Sequence, residues 1–224
     1  MGLHAPSAEQ AEHDTRQPRR VFLFSGHMID APDRKLARFP PEMEQAAGDA
    51  IAARLDDLGM NERDLAICGG ACGGDLLFAE AALQRTCRLR LHLQYDEAEF
   101  LRASVAFAGQ SWVERYKAVK AHPLASTHIQ PDELGPLPSG TDPYVRNNQW
   151  QLSTALAYGA DRLTCLFLWD GERSTSPGGT QDMVDAARLH SARISIIDTR
   201  LLPGCPARAP ATDIARPSGV TLCS

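Results

Sequence analysis

Four glycines within six residues (Gly69, Gly70, Gly73, Gly74) interrupt an apolar run, Leu65-Ala66-Ile67-Cys68, and Asp75 follows them directly. From Asp75 a helical pattern begins, with Leu76, Ala79 and Leu83 on one face. Glycines allow positive φ and close backbone approach, and the first N–H groups of a helix lack intrahelical acceptors. Such a corner suits anionic or hydroxyl-rich ligands, nucleotides above all. A second turn of the same kind, Pro177-Gly178-Gly179-Thr180, follows another apolar run, Leu163–Trp169, and leads into a second helical pattern. Thr180 is the expected N-cap there, and the backbone around it is suited to a phosphate.

Neither turn is a standard phosphate loop. Asp75 stands where a P-loop requires lysine, and the glycines run GGxxGG rather than GxGxxG. A carboxylate in the first helical turn complements the dipole and repels a second anion. The plainer use of the first turn is capping and tight packing, and that of the second is a polar strand-to-helix connection. Other candidates have plain alternatives as well. Asp96 ends a strand, as a ribose-binding acid does in dinucleotide folds, or caps the next helix. Arg146-Asn147-Asn148 opens a helix and could hold a phosphate or a base, or serve as surface caps. Cys72, near a helix start, could carry a lowered pKa; Cys68, Cys72 and His27 have poor zinc spacing. The basic residues Arg85, Arg88, Arg90, Lys117 and Lys120 read as solvated faces.

The elements that would carry these residues alternate. Strands are expected from 21, ending at Ser25-Gly26-His27, and at 65–68, 88–95, 126–130, 163–169 and 193–199. Helices are expected at 42–58, from 75, at 96–107, 112–122, 147–158 and 181–192. Leu163–Trp169 is the most apolar strand and should be central, and Leu89, Leu91 and Leu93 mark a half-covered one. Residues 131–145, rich in proline, should be irregular, as a binding loop or lid. Residues 1–20 and the proline-rich 200–224 are expected to be tails around one domain at 21–199. The expected fold class is α/β, a Rossmann-like three-layer sandwich with a mostly parallel sheet. Ligands of such sheets sit at the carboxyl ends of strands. Ser25-Gly26-His27, the Gly69–Gly74 turn, Asp96, Asp170 and the second turn all fall at such ends.

ICGGACGGDLLFAEAAL followed by PGGT is similar to the Rossmann-like superfamily of the DNA-processing protein A and "lonely guy" (LOG) proteins, known as SLOG, over residues 21–199. LOG proteins hydrolyse the N-glycosidic bond of nucleoside monophosphates, DNA-processing members bind single strands, and other branches look like sensors. The resemblance implies that Gly69, Gly70, Gly73, Gly74, Gly178, Gly179 and Thr180 contact a nucleotide; Gly26 and Asp96 join them by position. LOG enzymes carry PGGxGTxxE, whereas here Met183 stands where the catalytic glutamate belongs. Binding of a nucleotide or nucleotide-derived molecule, as a sensor or accessory component, is therefore the expected function. The alternative is an N-glycosidic-bond hydrolase or transferase using Asp182, Asp96 or Glu80 as its carboxylate. Single-stranded DNA binding comes third, disfavoured by a net charge of -5 and 6% aromatic content.

The 224 residues can bury a sizeable core, and the 43% hydrophobic content is that of an ordinary globular chain. Six cysteines without framework spacing fit a reduced, cytoplasmic protein, and no apolar run reaches membrane-span length. The expected partner is a nucleotide-like small molecule, with homodimerisation allowed. No cofactor, metal or membrane is expected.

Overall fold

The computed structural model describes residues 17–35, 37–172 and 177–205. Of the segments expected as tails, 1–20 and 200–224, residues 1–16 and 206–224 lie outside the described residues, as do Leu36 and residues 173–176. The apolar runs form β1 (Val21–Gly26), β2 (Leu65–Cys68), β3 (Arg88–Leu93), β4 (Ala125–Ile129), β5 (Leu163–Trp169) and β6 (Arg193–Asp198). The helices are α1 (Glu44–Asp57), α2 (Gly74–Gln84), α3 (Glu97–Ser104), α4 (Gln110–Lys120), α5 (Gln130–Leu134), α6 (Pro143–Leu156) and α7 (Thr180–Leu189).

The strands make one six-stranded sheet in the order β4-β3-β2-β1-β5-β6, with every pairing parallel. Alternation along β1 divides the core. Phe22 and Phe24 point to one face, where α1, α2 and α4 bury Ile51, Phe78 and Tyr116. Val21 and Leu23 point to the other, against Leu152 of α6 and Val184 of α7. Each fully covered apolar side chain contributes about 1.5–3 kcal/mol, so residues alternating in this way fix the strand register and the three-layer arrangement together. The α/β sandwich expected from the sequence is the one observed, with a sheet that is wholly parallel.

Three expectations on the elements need correction. β5 is buried at all seven positions, yet the two middle places of the sheet belong to β2 and β1. A continuous apolar run reports coverage of both faces, which any interior strand has; β6 lies beyond β5 and makes it interior. The 131–145 stretch is not wholly irregular, because Pro131 and Pro143 each fall in the first turn of a helix, α5 and α6. Proline is tolerated there, since its missing N–H would be unsatisfied anyway. Asp142 caps α6 by accepting from the Tyr144 and Val145 N–H groups. Finally, Gly179 rather than Thr180 is the residue preceding α7.

Ahead of β1, Arg19 and Arg20 both reach the buried carboxylate of Asp64, at 2.7 and 3.3 Å. This anchor lies at the amino ends of the strands. Among the described residues no helix is long and apolar enough to cross a membrane.

Candidate functional site

The chain moves outward from β1 through β2 and β3 to β4, then returns to the far side of β1 with β5. At the carboxyl ends of β1 and β5 the connections therefore diverge to opposite faces and leave a crevice. A cleft of about 870 Å³, its open mouth included, occupies that place. Ser25 and Gly26 from β1, His27 just after it, Gly69 from the first glycine turn, and Gly178, Gly179 and Thr180 from the second all line it. The two turns, far apart in sequence, share one cavity.

The glycines of the first turn do different work. Gly69 opens on the cleft, and a Cβ there would lie 2.8 Å from Asp75 Oδ2 and 3.6 Å from Gln151 Nε2. Gly70, Gly73 and Gly74 are buried and do not line the cleft. A Cβ on Gly70 would meet Leu91, and one on Gly74 would meet Phe24 and Leu168. Gly73 lies against the backbone after β1: it bridges to Met28, and the Gly74 N–H donates to His27 O. These three glycines pack the turn against the sheet, and the placement of Gly73 fixes where His27 sits.

The second turn is held from behind. Asn148 Nδ2 donates to Gly178 O at 2.9 Å, and the Gly178 N–H donates to Asp182 Oδ2 at 2.8 Å. The N–H groups of Gly179, Thr180 and Gln181 have no acceptor among the described residues, and all three residues border the cleft. Gly178 has φ of +74°, and a Cβ on it would come within 2.6 Å of Tyr144 Cβ and 2.8 Å of Val145 N. Gly178→Ala must displace the turn from α6. The expected result is a loss of about 1–3 kcal/mol in stability, measured by urea unfolding, together with weakened binding of any anionic ligand of the cleft.

The three carboxylates singled out for catalysis do not line the cleft. Asp182 is exposed and spends its carboxylate on the Gly178 N–H. Asp96 is exposed and caps α3 by accepting from the Glu99 N–H, so it is not placed with the proposed nucleotide contacts. Glu80 pairs with Arg115, which also binds Glu44 and lies over Trp112. Glu80→Gln should cost about 1 kcal/mol or less and leave ligand-induced thermal shifts unchanged; a lost shift would return Glu80 to the site.

Glu172 lines the cleft, and so does Asp75. Protein atoms crowd it on most sides while part of its surface stays open to the cavity. This desolvation pushes its pKa up to about 7, against the opposing effect of the Ala71, Gly69 and Gly70 backbone N–H groups. Across the cleft, His27 Nε2 lies 3.3 Å from both Asp170 Oδ1 and the Asp170 N–H, which donates to it. Asn147, tied to His92 O, and Gln151 complete the α6 wall. Sequence reasoning read Asp75 only as a complement to the helix dipole, because acids in first turns are usually solvated. Gln151 carries no sequence signal at all.

Other candidates are otherwise engaged. Arg146 donates to the Leu134, Gly135 and Pro136 carbonyls, pinning the loop before α6 rather than facing a ligand. The Cys72 thiol is buried, which pushes its pKa up to about 12 and disfavours a thiolate. Arg85 pairs with Asp56 and Lys120 with Glu97, so these cations are neutralised locally. Among the described residues no group of three or more potential metal ligands converges.

No protein-family model matches the chain. No curated protein matches it either. Among solved structures it is similar to TM1055, a structural-genomics target determined by X-ray crystallography, at 12% identity and a TM-score of 0.40, over 78% of this chain and 72% of that one.

Proposed function

We propose that the cleft binds a nucleotide or a nucleotide-derived phosphorylated molecule, its phosphate at the N–H groups of Gly179, Thr180 and Gln181. The carrying observation is that Gly69 and the Gly178–Thr180 turn border one cavity at the divergence of β1 and β5. The first turn of a helix offers unpaired N–H groups and the positive end of the dipole, both favourable to an anion. The Asp75 carboxylate disfavours a neighbouring anion, which supports the α7 end as the position of the phosphate.

A thermal-shift series over AMP, ADP, ATP and NAD tests the reading. A ligand at a hundred times its Kd adds about 2.7 kcal/mol, or roughly 5–10 °C for a domain of this size. Absence of any shift across the series at millimolar ligand removes the proposal.

One observation favours the hydrolase reading: a carboxylate with a pKa near 7 borders the cleft. Asp75 then replaces Asp182, Asp96 and Glu80 as the group to test, protonating a leaving base or activating water. Release of free base from AMP by the native chain, lost in Asp75→Asn, is the expected signature of that chemistry. Binding without base release leaves the chain a binding protein.

A further inference from the structure

We propose that Asp75 and Gln151, which meet beside Gly69, form a subsite for the vicinal hydroxyls of a sugar, so that the ligand enters sugar-inward with its phosphate toward α7. This rests on the nucleotide reading above and narrows it to the part of the ligand that the wall of the cleft selects.

Gln151 supplies the first observation. It is 4% exposed and borders the cleft from α6, yet its Oε1 has no hydrogen-bond partner among the described residues. Buried side-chain carbonyls are nearly always satisfied, and one that is not calls for a donor. Asp75 supplies the second. Its carboxylate, in the first turn of α2, faces the same spot: a single methyl on Gly69 would touch Oδ2 and come within van der Waals contact of Gln151 Nε2. The glycine leaves the space between the two groups open, which a methyl would fill by pushing the Asp75 carboxylate aside.

The pair selects by chemistry. An ionised carboxylate and an amide carbonyl are acceptors, so a ligand group that brings donors suits them better than a phosphate. The amide presents Nε2 toward Gly69 and an unpaired Oε1 besides, and two adjacent hydroxyls, each both donor and acceptor, can bond to the carboxylate and the amide together. An ammonium group would also donate, but it needs a fixed anion opposite. With its pKa near 7, Asp75 is only partly ionised at neutral pH, whereas a hydroxyl bonds to either form. The same cleft is bordered by the unpaired N–H groups at the start of α7. Donor-seeking and acceptor-seeking ends in one cavity fit a molecule with hydroxyls at one end and phosphate at the other. A free sugar phosphate and the ribose phosphate of a nucleotide share that chemistry.

Isothermal titration of the full chain with inorganic phosphate, ribose 5-phosphate, 2-deoxyribose 5-phosphate, AMP and adenosine tests it. Ribose 5-phosphate should bind at least tenfold more tightly than inorganic phosphate and than the 2-deoxy sugar. Asp75→Asn and Gln151→Leu should each remove most of that preference while leaving the Kd for inorganic phosphate within about twofold. AMP binding more tightly than ribose 5-phosphate identifies a nucleotide as the source of the sugar; equality identifies a free sugar phosphate. The proposal is overturned if the 2-deoxy sugar binds as well as ribose 5-phosphate, or if both variants, folded by circular dichroism, keep the preference. Adenosine binding that is lost in Asp75→Asn, with no phosphate compound bound at the α7 end, upholds the subsite and sinks the phosphate assignment. Silence from all five compounds overturns both.

Discussion

Asp75→Asn is expected to make the protein more stable at pH 8, raising the unfolding midpoint by roughly 4–8 °C, while ligand binding falls. The sign follows from the titration. In the folded chain the carboxyl titrates near pH 7, raised from 3.8 chiefly by desolvation. Below about pH 4 it is protonated in both folded and unfolded chains and contributes no difference. Between about pH 4 and 7 the unfolded chain releases the proton that the folded one keeps, so stability falls as pH rises, and above pH 7 the full penalty applies. A shift of about three units corresponds to about 4 kcal/mol. Because part of the carboxylate stays in contact with the cavity, we expect roughly half of that, or about 2 kcal/mol, each worth about 2–4 °C at this chain length. Asparagine has no such slope and can still accept from the Ala71 N–H. The neighbouring Cys68 and Cys72 thiols are also shifted upward, so they stay neutral through this window. Urea midpoints for both proteins from pH 4 to 9 provide the check. Curves that coincide near pH 4 and separate to a plateau above pH 7 are expected; a constant gap, or a less stable variant at pH 8, refutes the account.

Gly73→Ala should be the most damaging single-methyl change in the first turn. Its backbone sits at φ 98° and ψ -131°, a region that residues with a Cβ scarcely enter. The added methyl would lie 2.6 Å from Ile29 N and 2.8 Å from His27 O, both backbone atoms that cannot rotate away. Accommodation must break the Met28 bridge and loosen the Gly74 N–H bond to His27 O. Strain and lost contacts together should cost about 3 kcal/mol or more, a fall of roughly 10 °C. Gly70→Ala makes the comparison informative. It shares positive φ, but its methyl would meet only Leu91 and Leu93 side chains at 3.4 Å or beyond, so about 1–2 kcal/mol is expected. Equal losses at the two positions would show that the contact of Gly73 with the β1 exit is unimportant. Under this account both variants fail through folding, since neither glycine borders the cleft.

That distinction marks where the sequence stopped being legible. The strand–turn–helix alternation was readable because apolar runs and glycine stops are local signals, and the six strands lie close to where those runs fall. The convergence of the two turns was readable from the rule that parallel sheets bind at their carboxyl ends, which needs no atomic detail. The roles of individual glycines were not. Gly69 and Gly73 look alike in the string, yet one opens on the cavity and the other presses on the chain after β1, because that depends on the angle at which α2 leaves β2. The same applies to Asp75. Nothing in its neighbours reveals that α6, some seventy positions later, closes over it. Pro131 and Pro143 were misread for another reason: proline counts against a helix everywhere except in its first turn, and the caps that place them there are themselves local.

Helix α6 lines the cavity with several of its side chains. Asn148 grips the Gly178 carbonyl, while Gln151, one turn along the same face, stands next to Asp75. Under the proposed reading, one rigid rod spans the two contacts with the ligand, and its pitch, about 5.4 Å per turn, sets their separation. A ligand of another length would then be met by a change on α6 rather than in either glycine turn alone. A relative of this chain with a different ligand would be expected to show the change on α6, as a displaced amide or an altered helix start, before any change in the glycines themselves.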